Sequence, residues 1–149
     1  MNDDVIIMLT AKDDRAACAY TERIIAESRL SDAWYEHFDD IASLLDHPKS
    51  LVRNRAMNIL AENVRWDAEG RFDTYIEAFL EHITDEKPVT ARQCIKFLPV
   101  IAEAEERYIP LMERKLRSAD ISKYKDSMRP LIEKDIADAL VRIGKGAEG

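Results

Sequence analysis

The sequence predicts an all-α fold of stacked helix pairs, about three of them behind an N-terminal capping pair. Three observations carry that expectation. An offset of 38 residues lays Phe38, Ile41, Ala42 and Leu45 on Ile76, Phe79, Leu80 and Ile83. The same offset lays Ser50, Val52, Ala56, Ile59 and Leu60 on Pro88, Thr90, Cys94, Phe97 and Leu98. Two apolar stripes aligned by one offset are what repeated helical hairpins produce, each burying its apolar face against the next. Elsewhere, too, apolar residues recur at helical spacing. Finally, only four glycines occur, Gly70, Gly144, Gly146 and Gly149, so few turns need positive φ and a hairpin-rich β fold is disfavoured.

Asn2 or Asp3 can cap a short first helix reaching about Thr10. Asp13 and Asp14 open a second, with Ala17, Tyr20, Ile24 and Ile25 on one face. Ser31 and Asp32 cap a third, carrying Trp34, Phe38, Ile41, Leu44 and Leu45 inward. Pro48 starts a fourth, whose stripe includes Leu51, Val52, Ala56, Ile59, Leu60 and Val64; proline suits a first turn, where its missing N–H has no partner to lose. After a loop from Trp66 to Gly70, Asp73 caps the fifth helix, and Pro88 starts the sixth with Ala91, Cys94, Ile95, Leu98 and Ile101 inward. Pro99 should bend that helix.

A third pair follows. Ile109, Met112 and Leu116 stand 33 residues after Ile76, Phe79 and Ile83, whereas Ile132, Ile136 and Leu140 stand 42 after Thr90, Cys94 and Leu98. Nine extra residues therefore lie between the two helices, in Ser118 to Ser127, and Pro130 again falls in a first turn. Gly144 ends the last helix. The chain reads as one domain, 1–149, with a cap at 1–30, repeat units at 31–66, 71–104 and 106–144, and a flexible tail at 145–149.

At 149 residues, 46% hydrophobic and 34% charged, the chain has material for a core and is not disordered. Its net charge of −7 is uneven: residues 1–86 carry 9 basic and 19 acidic side chains, residues 87–149 carry 13 and 10. An anionic partner would find its seat in the second half. No stretch approaches the roughly 20 apolar residues of a membrane span, and Asp3 and Asp4 stand where a signal peptide would be basic. Two cysteines far apart in sequence, Cys18 and Cys94, suit a reducing cytoplasm.

Val52, Arg53, Ala56 and Leu60 spell the Val-Arg-x-x-Ala-x-x-x-Leu pattern of the second helix in HEAT or armadillo-type repeats, which residues 31–144 resemble. The resemblance implies a right-handed α–α superhelix, a HEAT-like solenoid. The second unit departs from the pattern with Thr90-Ala91 and Cys94. The strings at 63–67, 85–94 and 122–131 also resemble small bacterial HEAT-like proteins of unassigned role, some of them labelled SufBD-like. That label implies iron–sulfur cluster assembly, through Cys94 or Cys18 here, although the proteins behind the name are built on β-helical cores.

Cys94 takes the inward place that Ala56 holds one unit earlier, so it reads as a buried, inert thiol, and Cys18 reads likewise. His37, His47 and His82 lack metal-ligand spacing and read as helix-terminal or surface residues. The acidic runs at Asp39-Asp40 and Glu103 to Glu106 read as solvated helix ends, and no phosphate loop or catalytic motif is present. Arg65, Trp66, Asp67 and Arg71 together form an alternative nucleic-acid site, because some DNA glycosylases line HEAT-like grooves with tryptophans and an aspartate. The simpler reading has Trp66 closing a loop and Asp67 capping a helix.

In HEAT-like solenoids the second helices line the concave side. The repeat register aligns Asn54, Arg92 and Lys134 there, with Lys96 a turn later. Arg129 and the insertion residues Lys123, Tyr124 and Lys125 join them, the last three expected to be exposed. The expected function is a non-catalytic scaffold, not an enzyme and without cofactor or metal, binding a protein partner or acidic segment along that face. Nucleic-acid or glycosylase-like binding, and an iron–sulfur assembly accessory, are the alternatives. Exposed terminal repeats also admit a homo-oligomer.

Overall fold

The computed structural model describes residues 3–148, which are helices and turns with no strand among them. Eight α-helices follow in order among these residues: α1 Asp3–Leu9, α2 Asp14–Ser28, α3 Phe38–Ala42, α4 Ser50–Asn63, α5 Ile76–Leu80, α6 Pro88–Ala104, α7 Ile109–Arg117 and α8 Arg129–Glu148. The described residues divide into two compact units between Ile76 and Glu77. That division falls inside the expected second repeat unit. The proposed capping role of Asn2 or Asp3 lies outside the described residues and side chains.

The 38-residue offset holds for two helix starts. α4 and α6 begin 38 residues apart, at Ser50 and Pro88, each behind an extended lysine cap, Lys49 or Lys87. Each lysine N–H donates to the side chain two residues before it, His47 Nδ1 at 3.0 Å or Asp85 Oδ1 at 2.8 Å. Pro48 therefore lies before α4 and not in its first turn. Proline disfavours helical backbone at the residue ahead of it, and here Lys49 adds an extended step before the helix starts.

The expected third and fifth helices are shorter than predicted. Each opens as a tight 3₁₀ turn, Tyr35–His37 before α3 and Arg71–Thr74 before α5; Glu106–Tyr108 does the same before α7. Asp67 organises the turn at Arg71: its two carboxylate oxygens accept the N–H groups of Arg71 and Phe72, each at 2.8 Å. Gly70 supplies the left-handed step just ahead of it, φ 76°. Capping at Asp13 is as expected, through the Ala16 N–H at 3.1 Å.

Within the N-terminal unit α2 and α4 run side by side in the same direction. Asp14, at the start of α2, meets Arg55 at 2.9 Å; Ser28, at its end, accepts from Asn63 at 3.0 Å. Val52, Ala56, Ile59 and Leu60 are fully buried as their stripe predicts. Leu51 is the exception and lies 45% exposed.

Three charged side chains of α4 are also buried, against expectation: Arg53, Arg55 and Glu62. Buried charge is tolerated where it is paired or hydrogen-bonded. Arg55 caps the last carbonyl of α1, Leu9, at 2.9 Å, and Arg53 holds the carbonyls of His47 and Pro48. Glu62 sits between two guanidinium groups, Arg29 at 3.0 Å and Arg65 at 2.6 Å. The orphaned carbonyl at the end of α1 is thus met by a side chain of α4.

In the C-terminal unit α6 packs against α7's flanking turn and along α8. Ile109, Met112 and Leu116 are buried as expected. On α8 the buried positions are Ile132, Ala139 and Ile143, with Ile136 and Leu140 only half-buried, so the stripe drifts from the expected register. Pro130 occupies the first turn of α8, as predicted, and Pro99 lies buried inside α6. Gly144 does not end α8, which continues to Glu148. Nothing packs where a side chain at Gly144 would stand, so a glycine there is neither a stop nor a required close approach. Among the described residues no helix is long and apolar enough to cross a membrane.

Candidate functional site

Regular spacing brings α6 and α8 together as parallel neighbours. Arg92 near the start of α6 grips Asp135 near the start of α8, Nε to Oδ2 at 2.6 Å. A turn further on, Ile95, Lys96 and Pro99 border a cleft of about 500 Å³ whose other wall runs from Asp135 to Arg142. Further still, Ala102 and Glu103 face Arg142 and Lys145 across a second hollow that shares Pro99. Short side chains explain the gap, because Ala102 and Ala139 do not reach far enough to close it.

The floor of the cleft is apolar, made by Ile95, Pro99, Ala139 and Val141. Val141 is 56% exposed, and Leu131 on the same helix is 40% exposed, so apolar surface is left open along α8. Charge stands on the rim. Asp135 is neutralised by Arg92, and Asp138 by Lys134 at 2.9 Å. Lys96, Arg142 and Lys145 have no carboxylate partner among the described side chains, and of these Lys96 and Arg142 border the main cleft. The result is an apolar slot beside unpaired cations.

Of the residues that sequence pointed to, only Lys96 stands free at this cleft. Arg92 and Lys134 line it up but are held by aspartates. Arg129 lies at the start of α8, its guanidinium on Asp126 and on the Tyr124 carbonyl at 2.8 Å. Lys123 donates to the carbonyl of Thr84, with its ammonium over the Tyr124 ring at 5.4 Å. Lys125 remains exposed on the insertion. Asn54 belongs to the N-terminal unit, half-buried, with its side-chain oxygen unpartnered.

Tyr124 corrects the reading of the insertion as an exposed loop. It is 5% exposed, donates its hydroxyl to the carbonyl of Asp85, and burial pushes its phenol up to about 12. The nine extra residues fold back to clamp the cap of α6, and the apolar ring is what holds them there.

Lys145 was missed because Gly144 read as the helix end, whereas Val141 and Arg142 lay inside the expected last helix but off both its apolar stripe and its aligned basic positions. The available signal was the offset itself: in the 42-residue register Pro99 falls on Val141, a proline opposite an aliphatic side chain near free cations.

The alternative nucleic-acid constellation is engaged internally. Arg65 pairs with Glu62, and Trp66 donates Nε1 to the carbonyl of Ser28 at 2.7 Å, closing the end of α2. Asp67 holds the next turn and also accepts from the Tyr35 hydroxyl. Arg71 pairs with Glu69 at 3.0 Å and lies over the Tyr35 ring at 5.0 Å. Burial first, then Asp67, pushes the Tyr35 phenol well above its ordinary value. The loop-closing and capping roles account for all four residues.

The cysteines differ from each other. Cys94 is fully buried, its thiol directed at the Phe79 carbonyl at 3.5 Å and pushed well above the ordinary range by burial. Cys18, expected to be buried, is exposed on α2 near Glu22. A disulfide-exchange reagent should therefore label Cys18 rapidly in the native protein and Cys94 only on unfolding. Equal rates, measured by mass spectrometry of the labelled peptides, would contradict that arrangement.

Of the histidines, His47 caps α4 and His82 sits 2.7 Å from Asp85. His37 is helix-terminal as expected, at the end of the Tyr35–His37 turn, and is buried beside Trp34, ring centroids 5.4 Å apart, with Nδ1 unpartnered. Among the described residues no three His, Cys, Asp or Glu side chains gather as metal ligands would. No protein-family model, curated protein or solved structure matches the chain.

Proposed function

We propose that this chain is a non-catalytic adaptor of HEAT-like helical repeats, in the form of a right-handed α–α superhelix, which binds a protein partner along the α6–α8 surface. The observation that carries the proposal is the open cleft with an apolar floor and unpaired cations on its rim. The paired parallel helices α2/α4 and α6/α8 support the repeat reading, since successive second helices of such repeats lie side by side. Partner grooves combine apolar anchoring sites with a polar rim in this way.

The test is quantitative affinity capture from a native cell extract, comparing the wild-type chain with a Val141→Glu/Arg142→Glu variant. At least one protein should be enriched by the wild type and lost by the variant, and should survive nuclease treatment. Identical captures from both would remove this surface, and captures abolished by nuclease would favour a nucleic-acid role.

A further inference from the structure

We infer that the α6–α8 cleft takes an acidic peptide segment carrying one apolar anchor, its carboxylates on Lys96, Arg142 and Lys145 and its anchor against the exposed Val141. This rests on the adaptor reading and specifies the partner's chemistry. Charge complementarity selects the occupant. The two aspartates of the cleft are already matched, Asp135 by Arg92 and Asp138 by Lys134. Among the described side chains the unmatched charge is cationic, opposed by Glu103 in the adjoining hollow.

A basic segment would meet three unneutralised cations. A nucleic acid would bring a phosphate at every nucleotide past Asp135, Asp138 and Glu103, on a chain of net charge −7. Spaced carboxylates avoid those aspartates and pair with the free cations. The apolar floor then asks for one side chain to cover Val141 and fill the slot, which suits a cleft in the size range of ordinary ligand sites. Arg142 supplies a planar, bidentate donor for a carboxylate, and the two lysines supply point charges on either side.

The probe is a displayed library of random peptides panned on the folded chain, followed by fluorescence anisotropy with the enriched peptides and with a single-stranded oligonucleotide. The expected consensus places Asp or Glu on both sides of Leu, Ile, Phe or Met, with affinity that falls as salt rises. Arg142→Glu should weaken such peptides roughly tenfold and Lys96→Glu should act in the same direction. Val141→Ser should weaken them without changing their salt dependence, and Lys125→Glu, outside the cleft, should leave them unchanged. Circular dichroism checks that each variant is folded.

Enrichment of basic or neutral peptides that still depend on Arg142 or Val141 would overturn the acidic assignment while leaving the adaptor reading intact. Peptides insensitive to every cleft substitution would overturn both. No enrichment, or tighter binding of the oligonucleotide than of any peptide, would overturn the inference, and extract capture would then decide the adaptor reading separately.

Discussion

Phe38→Ala should lower the unfolding free energy by about 3–5 kcal/mol, the range for deleting a fully buried phenylalanine. The side chain is 1% exposed and stands edge-on to Phe72, with ring centroids 6.1 Å apart. Tyr35 and Tyr75 flank it at 5.4 and 6.2 Å. Truncation leaves a void among three rings, two of them pinned by hydrogen bonds, Tyr75 to Asp39 at 2.7 Å and Tyr35 to Asp67, so collapse into the space is restricted. For a chain of this length each kcal/mol is worth about 2–4 °C in Tm. Both tryptophans, Trp34 and Trp66, lie in the N-terminal unit, so urea unfolding followed by their fluorescence reads the affected region directly. A loss below about 1 kcal/mol would mean that these rings do not pack as described.

Asp67→Ala should cost about 2–3 kcal/mol in the same experiment, because it strips the acceptor from two backbone N–H groups and a tyrosine hydroxyl at once. Asp67→Asn keeps one acceptor oxygen and should lose roughly half as much. The substitution also separates two roles for the Trp66-Asp67 pair. A capping aspartate gives a stability loss with no change in affinity for DNA. An aspartate that serves a nucleic-acid site gives the reverse, native-like stability and a loss of binding in a gel-shift series, and that outcome would restore the glycosylase-like alternative.

Sequence revealed where helices lie better than it revealed what covers each residue. The starts of α4 and α6 were legible because apolar periodicity and the Ser50–Pro88 alignment agree, and helix existence follows from periodicity over several turns. Pro88 and Pro130 marked helix starts because proline fits a first turn, whereas Pro48 misled by two residues because a further extended step intervenes. Buried polarity was opaque. Arg53, Arg55 and Glu62 look like a solvated face in one dimension, and only the third dimension brings the carbonyls and guanidinium groups that satisfy them.

The cleft was half legible for the same reason. Arg92, Lys96 and Lys134 were placed on neighbouring helices by the register, but register does not reveal that Asp135 and Asp138 neutralise two of the three. Tyr124 was misread because an insertion with two lysines resembles a solvated loop; its aromatic ring decides otherwise once the cap of α6 is there to receive it. Cys18 took the opposite exposure from the one expected, since a shift of one or two residues around a helix moves a position from interior to solvent.

The hydrogen bonds that tie one layer to the next within each unit join residues 32 to 46 positions apart, from Tyr35–Asp67 to Leu9–Arg55. Closing loops of that size carries a modest entropic barrier, rising by only about 0.6 kcal/mol for each doubling of length. Within the N-terminal unit these bonds need no residue from beyond it. It can also begin to fold while it is being made: once Arg71 and Phe72 have emerged from the ribosome, every partner needed to seal Asp67, Trp66 and Glu62 has already been synthesised.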